Sequence, residues 1–150
     1  VGLSKPQRQS QDLVRGAVWS RAAIGKREPA QPSQLAHHTD ATARMLTEIV
    51  NCQAVTPERR RQMLALHERH PFDPAASGPA RVYPGAALPP GAKLWSKAGW
   101  TSETRHDATY VELPTGERFV LVTFTVGHAK EKGIISAVAR AVIEGLRDVK

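Results

Sequence analysis

Residues 93–126 read KLWSKAGWTSETRHDATYVELPTGERFVLVTFTV, and the rhythm of this stretch decides the fold. Three runs enriched in β-branched and aromatic residues, Lys93 to Trp100, Ala108 to Leu113 and Arg118 to Val126, predict three strands. Pro114, Thr115 and Gly116 leave room only for a tight turn between the last two, so those strands pair antiparallel.

Working outward, the C-terminal flank from about Lys130 to Arg147 places Ile134, Ile135, Val138, Ala141, Val142 and Leu146 on one helical face. Such a helix covers one side of the sheet. On the N-terminal flank, residues 71–92 are rich in proline and glycine and predict an irregular connector draped over the surface. Before it, Met63, Leu64 and Leu66 form an apolar stripe on a helix capped by Thr56, opened by Pro57 and stopped by Pro71. An earlier helix carries Ala43, Leu46, Ile49 and Val50 at three-and-four spacing, with Thr39 or Asp40 placed to cap it. The expected class is therefore α+β: a three-stranded antiparallel meander covered by a C-terminal helix and preceded by a helical hairpin. Residues 1–36 read as a separate irregular segment with one short helix around Asp12 to Val18, and 37–150 as the folded part.

The chain of 150 residues is long enough to bury a core without disulfides or metals. Its formal charge of +7 invites a nucleic-acid partner, but only Arg59, Arg60 and Arg61 are contiguous. No aromatic residues interleave with them as a stacking platform requires, so a solvated helix face is expected and nucleic acid is not. Cys52, the single cysteine, reads as an inert thiol in an apolar helical stretch. His37, His38 and Asp40 lie close together and His67 and His70 share helical spacing, yet neither group makes a ligand motif, so no metal or other cofactor is expected. Nothing in the sequence is apolar enough for a membrane span, and no signal peptide opens the chain.

Chemistry is suggested by the first strand. An edge strand can take an extended ligand through backbone hydrogen bonds, while a lysine at its mouth attracts a carboxylate. Strand parity puts Trp95, Lys97 and Gly99 on one face and turns Trp100 to the other. From the residues alone, Lys97 reads first as a charge guarding a sheet edge against aggregation. Arg105 and Asp107 read as structural first.

The turn Leu88-Pro89-Pro90-Gly91, the triplet Lys97-Ala98-Gly99 and Arg105-His106-Asp107 together resemble the third conserved element of class A β-lactamases and penicillin-binding serine hydrolases. The helices that begin Thr39-Asp40-Ala41-Thr42-Ala43 and Thr56-Pro57-Glu58 are similar to the pair preceding that strand in the family, so the resemblance spans roughly residues 37–148. It implies a β-lactamase/transpeptidase-like fold, and an enzyme that hydrolyses a β-lactam or related amide through an acyl-enzyme. It further implies Lys97, Ala98, Gly99 and Thr101 as substrate-binding residues and the Trp100 backbone N–H as an oxyanion-hole donor. Ala98 stands where the family usually has threonine or serine. Neither Ser-x-x-Lys nor Ser-Asp-Asn occurs in the chain, so the nucleophile is expected from a missing N-terminal segment of the same enzyme, and this chain alone is expected to be inactive. Glu28 faintly matches the family's deacylating glutamate, although a loop charge fits it equally. Relatives of this kind are periplasmic or secreted. The competing reading is an inactive module of the same fold that binds a peptide or glycan.

Overall fold

A computed structural model of the chain describes residues 15–16, 34–75, 78 and 83–147. Their elements follow in the order β1 (Arg15–Gly16), α1 (Gln34–Val50), α2 (Pro57–His67), β2 (Glu68–Arg69), a 3-10 turn (Pro84–Ala87), β3 (Lys93–Trp100), β4 (Thr104–Glu112), β5 (Arg118–Val126) and α3 (Ile134–Arg147). The strands form one sheet in the order β1-β5-β4-β3-β2. The expected meander is its centre: β3 pairs antiparallel with β4 from Lys93↔Glu112 to Trp100↔Arg105, and β4 with β5 from Thr104↔Val126 to Glu112↔Arg118. Leu113 N–H donates to Glu117 O at 2.8 Å across the β4–β5 turn, where Gly116 takes φ +98, a left-handed value that glycine tolerates.

Two short strands widen this meander. Glu68 and Arg69 pair antiparallel with Trp95 and Leu94, while Arg15 and Gly16 pair in parallel with Phe119 and Val120. Arg15 and Gly16 lie within the segment expected to be helical and are extended instead. A two-residue strand is fixed by the neighbour it pairs with, which no local periodicity reports.

Alternation along β3 to β5 divides the core between the two sheet faces. On one face Leu94, Val111, Phe119 and Leu121 meet Ala139, Val142 and Ile143 of α3, with Leu88, Ala92 and Leu113 completing the cluster. Leu94 is only 1% exposed. On the other face Tyr110 and Val120 meet Val50, with Ala43, Leu46, Leu64, Trp95 and Val122 packed around them. Trp95 stacks on Tyr110 with ring centroids 5.1 Å apart. The Tyr110 hydroxyl donates to Glu112 Oε1 at 2.7 Å, and burial together with that carboxylate pushes the phenol pKa up to about 12.

Several local expectations are corrected. Helix α1 starts at Gln34, so Thr39 and Asp40 lie inside it and neither caps it; Thr42 Oγ1 donates back to His38 O at 2.8 Å. Thr56 does cap α2, its hydroxyl accepting from Arg59 N–H at 3.3 Å, with Pro57 in the first helical position. That helix ends at His67, before Pro71, because the chain turns extended to join β3 as β2. Its Leu66 is exposed rather than packed. The connector does not drape over the surface throughout: Tyr83, Pro84, Gly85, Leu88 and Ala92 are buried, and the 3-10 turn packs against α3. Helix α3 begins at Ile134 rather than near Lys130, and its buried stripe runs through Ile135, Ala139, Val142 and Ile143 while Ala141 is exposed.

Cys52 is not in the helix. It follows α1 with φ +56, donating its N–H to Ile49 O while Gln53 N–H reaches Glu48 O, a left-handed helix stop in which glycine is the usual occupant.

Candidate active-site wall

The two halves of β3 differ in their surroundings. Leu94 and Trp95 have strand neighbours on both sides. From Ser96 to Trp100 the strand pairs with β4 alone, and among the described residues no strand covers its other edge. That half carries Lys97, Ala98 and Gly99, and its free backbone groups can pair with an extended ligand.

Lys97 is exposed, on the sheet face opposite α3, and its ammonium donates to the Ala98 carbonyl at 2.5 Å. The charge therefore sits at the strand mouth. Ala98 lies on the α3 side, cross-strand from Asp107. Gly99 faces His106, yet a Cβ built there would meet only His106 Cβ, at 3.9 Å. The described protein does not itself require glycine at this position, so what the missing side chain leaves is open approach from the strand edge. Trp100 is 64% exposed, its indole on the side opposite to that of Lys97. The Thr101 hydroxyl is engaged in the β3–β4 turn: it lies 2.9 Å from Thr104 Oγ1 and accepts from the N–H groups of Glu103 and Thr104. Glu28 lies outside the described residues.

Arg105, His106 and Asp107, expected to precede β4, are part of it. Distant partners let three polar residues enter a strand. Arg105 Nε donates to Ala129 O at 2.5 Å and Nη1 to Tyr83 OH at 2.7 Å, with the guanidinium 5.8 Å from the Tyr83 ring centroid. Thr125 Oγ1 accepts from Arg105 N–H and donates to its carbonyl, while Thr125 N–H donates to His106 Nδ1 at 3.2 Å. The His106 ring packs on Phe124, centroids 4.5 Å apart.

Asp107 is 1% exposed and was not among the expected site residues. Thr109 Oγ1 donates to its Oδ2, and Ser96, on the same face of β3, also favours the charged carboxylate. Burial dominates these donors and raises the carboxyl from 3.8 to about 6, with Arg69 and Lys97 also pulling it down. Strand parity, which puts Ser96 and Ala98 on one face with Asp107 and Thr109 opposite, was the sequence signal for this cluster.

A shallow cavity of about 300 Å³ lies at the far end of β3, lined among others by Arg69, His70, Phe72, Asp73 and Lys93. Four residues separate Lys93 from Lys97, roughly 13 Å of strand, so this cavity is not at the triplet. The described residues thus furnish one wall at Lys97, without an opposing one. No group of three or more His, Cys, Asp or Glu among them can hold a metal ion. His38 and His70 are exposed and His67 Nδ1 is bonded to its own helix at Met63 O, 2.8 Å away. No helix among them is long and apolar enough to cross a membrane.

A family model described as "Beta-lactamase enzyme family" matches residues 13–146. Among solved structures, PBP-A is similar at 21% identity and TM-score 0.59, over 71% of this chain and 38% of that one. A β-lactamase from Sphaerobacter thermophilus is similar at 24% identity and TM-score 0.57, over 71% and 39%. An ancestral class A β-lactamase is similar at 18% identity and TM-score 0.56, over 93% and 52%. The chain thus spans between about two fifths and one half of the length of these relatives. Among curated proteins, none matches significantly.

Proposed function

The chain belongs to the β-lactamase enzyme family, and from that premise we propose that β3 is the substrate-binding wall of a serine hydrolase that opens a β-lactam or related amide through an acyl-enzyme. In this reading residues 37–150 are the C-terminal part of the hydrolase domain, and the nucleophilic serine with its activating lysine comes from polypeptide outside this sequence. The observation that carries it is the edge from Ser96 to Trp100, uncovered among the described residues and bearing an exposed lysine and a glycine that no described neighbour demands.

Each group on that edge has a task the chemistry needs. Lys97 draws in the substrate carboxylate, and its ammonium leaves the Ala98 carbonyl to do so. The Trp100 backbone N–H donates to the oxygen that gains charge as the hydroxyl attacks the carbonyl carbon. Gly99 lets the ligand backbone come close, and Ala98, without a hydroxyl, leaves the carboxylate held by fewer donors than in the family pattern. Thr101 acts at the rim by fixing the turn that ends the wall. Glu28 as deacylating base belongs to the same reading, as does a periplasmic or secreted location.

Labelled penicillin applied to the parent polypeptide tests this. The expected result is one covalent adduct on a serine outside these residues, with no turnover of a chromogenic cephalosporin by this chain alone. A parent that never becomes labelled leaves instead an inactive module that binds peptide or glycan along the same edge.

A further inference from the structure

Trp100 is 64% exposed at the end of β3, and among the described residues no ring stacks on its indole: the ring pairs of the sheet are Trp95 with Tyr110 and His106 with Phe124. Its cross-strand neighbour Arg105 is turned away to Tyr83 and Ala129. The α3 side of the open edge therefore runs from Ser96 through Ala98, two small side chains, to a large ring standing free. A single exposed apolar side chain is ordinary on a folded protein, and Leu66, 76% exposed on α2, is one. Trp100 differs from it in place. Leu66 belongs to a helix, whose backbone bonds run within itself, whereas the indole ends a strand whose outer N–H and C=O groups are open among the described residues.

We infer that the Trp100 indole is the specificity-determining surface of the β3 edge, taking a flat apolar group of the ligand whose carboxylate Lys97 holds. A ligand paired along the edge as a further strand presents its groups alternately to the two sheet faces. Lys97 meets them on the face opposite α3, and Trp100 meets them on the α3 face. Three steps along the strand separate the two residues, roughly 10 Å. The preferred ligand thus carries a carboxylate and, about that far along and on the other face, an aromatic ring or a comparably flat apolar group. Ala98, small and on the same face as Trp100, leaves room for that group to lie beside the indole. The indole supplies a π-face for stacking and an N–H for a polar atom at its margin. The oxyanion donor proposed above is the backbone N–H of the same residue, so the side chain is available for this second task and holds the selected group beside the carbonyl to be attacked.

The class of ligand rests on the function proposed above; the free ring beside an open edge does not. The test is an NMR titration of the 150-residue chain, followed at the Trp100 indole N–H, which Trp100→Phe identifies by removing its signal. Benzylpenicillin is compared with the same nucleus lacking the phenylacetyl group, so that the carboxylate is common to both. Benzylpenicillin is expected to shift the Trp100 signal and to bind roughly tenfold more tightly than the bare nucleus. Read at the Gly99 amide, Trp100→Ala should bring the two ligands to equal affinity, Trp100→Phe should keep most of the preference, and Lys97→Ala should weaken both ligands alike. Equal affinities in the unsubstituted chain, a Trp100 signal that stays still, a preference that survives Trp100→Ala, or a Lys97→Ala that spares both ligands each overturn the inference. Covalent labelling of the parent polypeptide is a separate readout: its failure removes the enzyme reading, while a preference that depends on Trp100 still stands.

Discussion

The first half of β3 and its second half obey one alternation yet serve opposite ends. Leu94 is sealed between β2 and β4 and under α3, and Trp95 stacks on Tyr110 beneath the helical hairpin. Two residues on, the same two directions hold Ser96 in a buried polar row and Lys97 in the open. The difference teaches that a strand's backbone groups are left open to a further partner where its lateral neighbour stops, and among the described residues β2 stops after two residues.

That contrast can be broken most severely at its buried end. Leu94→Ala leaves a cavity under α3 and should destabilise the fold by about 2–5 kcal/mol in chemical denaturation; a loss below about 1 kcal/mol would mean the core is not centred there.

The buried polar row comes next and responds to pH. Because the folded carboxyl of Asp107 is raised from 3.8 to about 6, its contribution to stability is full below pH 3.8 and is lost as pH rises through about 6. The shift corresponds to roughly 3 kcal/mol. Asp107→Asn should therefore gain stability relative to the parent sequence on going from pH 4 to pH 8, and parallel stability curves for the two would refute it.

At the open end the effect moves from stability to binding. Lys97→Ala should change stability by less than about 0.5 kcal/mol, while under the proposed function it should weaken capture of carboxylate-bearing substrates by the parent polypeptide roughly tenfold. Unchanged kcat/KM would take Lys97 out of the site.

The smallest effect lies away from the strand. Cys52→Gly relieves a left-handed residue at the end of α1, offset in part by glycine's greater chain entropy, and should raise stability by about 0.5–1 kcal/mol in thermal or chemical unfolding.

Much of this could be read from the sequence because it is local. The Thr56 cap with Pro57, the turn around Gly116 and the three long strands each depend on residues within a few positions of one another, and the observed pairing matches the expected meander. The triplet Lys97-Ala98-Gly99 lies on the expected strand, and its role belongs to the proposal. Where short-range signals and distant partners disagreed, the partners won. Arg105, His106 and Asp107, expected at the strand's entry, lie fully within β4, where Tyr83, Ala129, Thr125 and Phe124 supply contacts to Arg105 and His106.

Composition, periodicity and turn chemistry by themselves determined the α+β class and the sheet's three central strands. Only the tertiary structure decided that β2 covers half of β3, that β1 joins β5 in parallel, and that Asp107 and Thr123, registered across β4 and β5, each keep a buried oxygen without a partner. Lateral pairing and desolvation arise between segments far apart in the chain, and no window of neighbouring residues carries their energy.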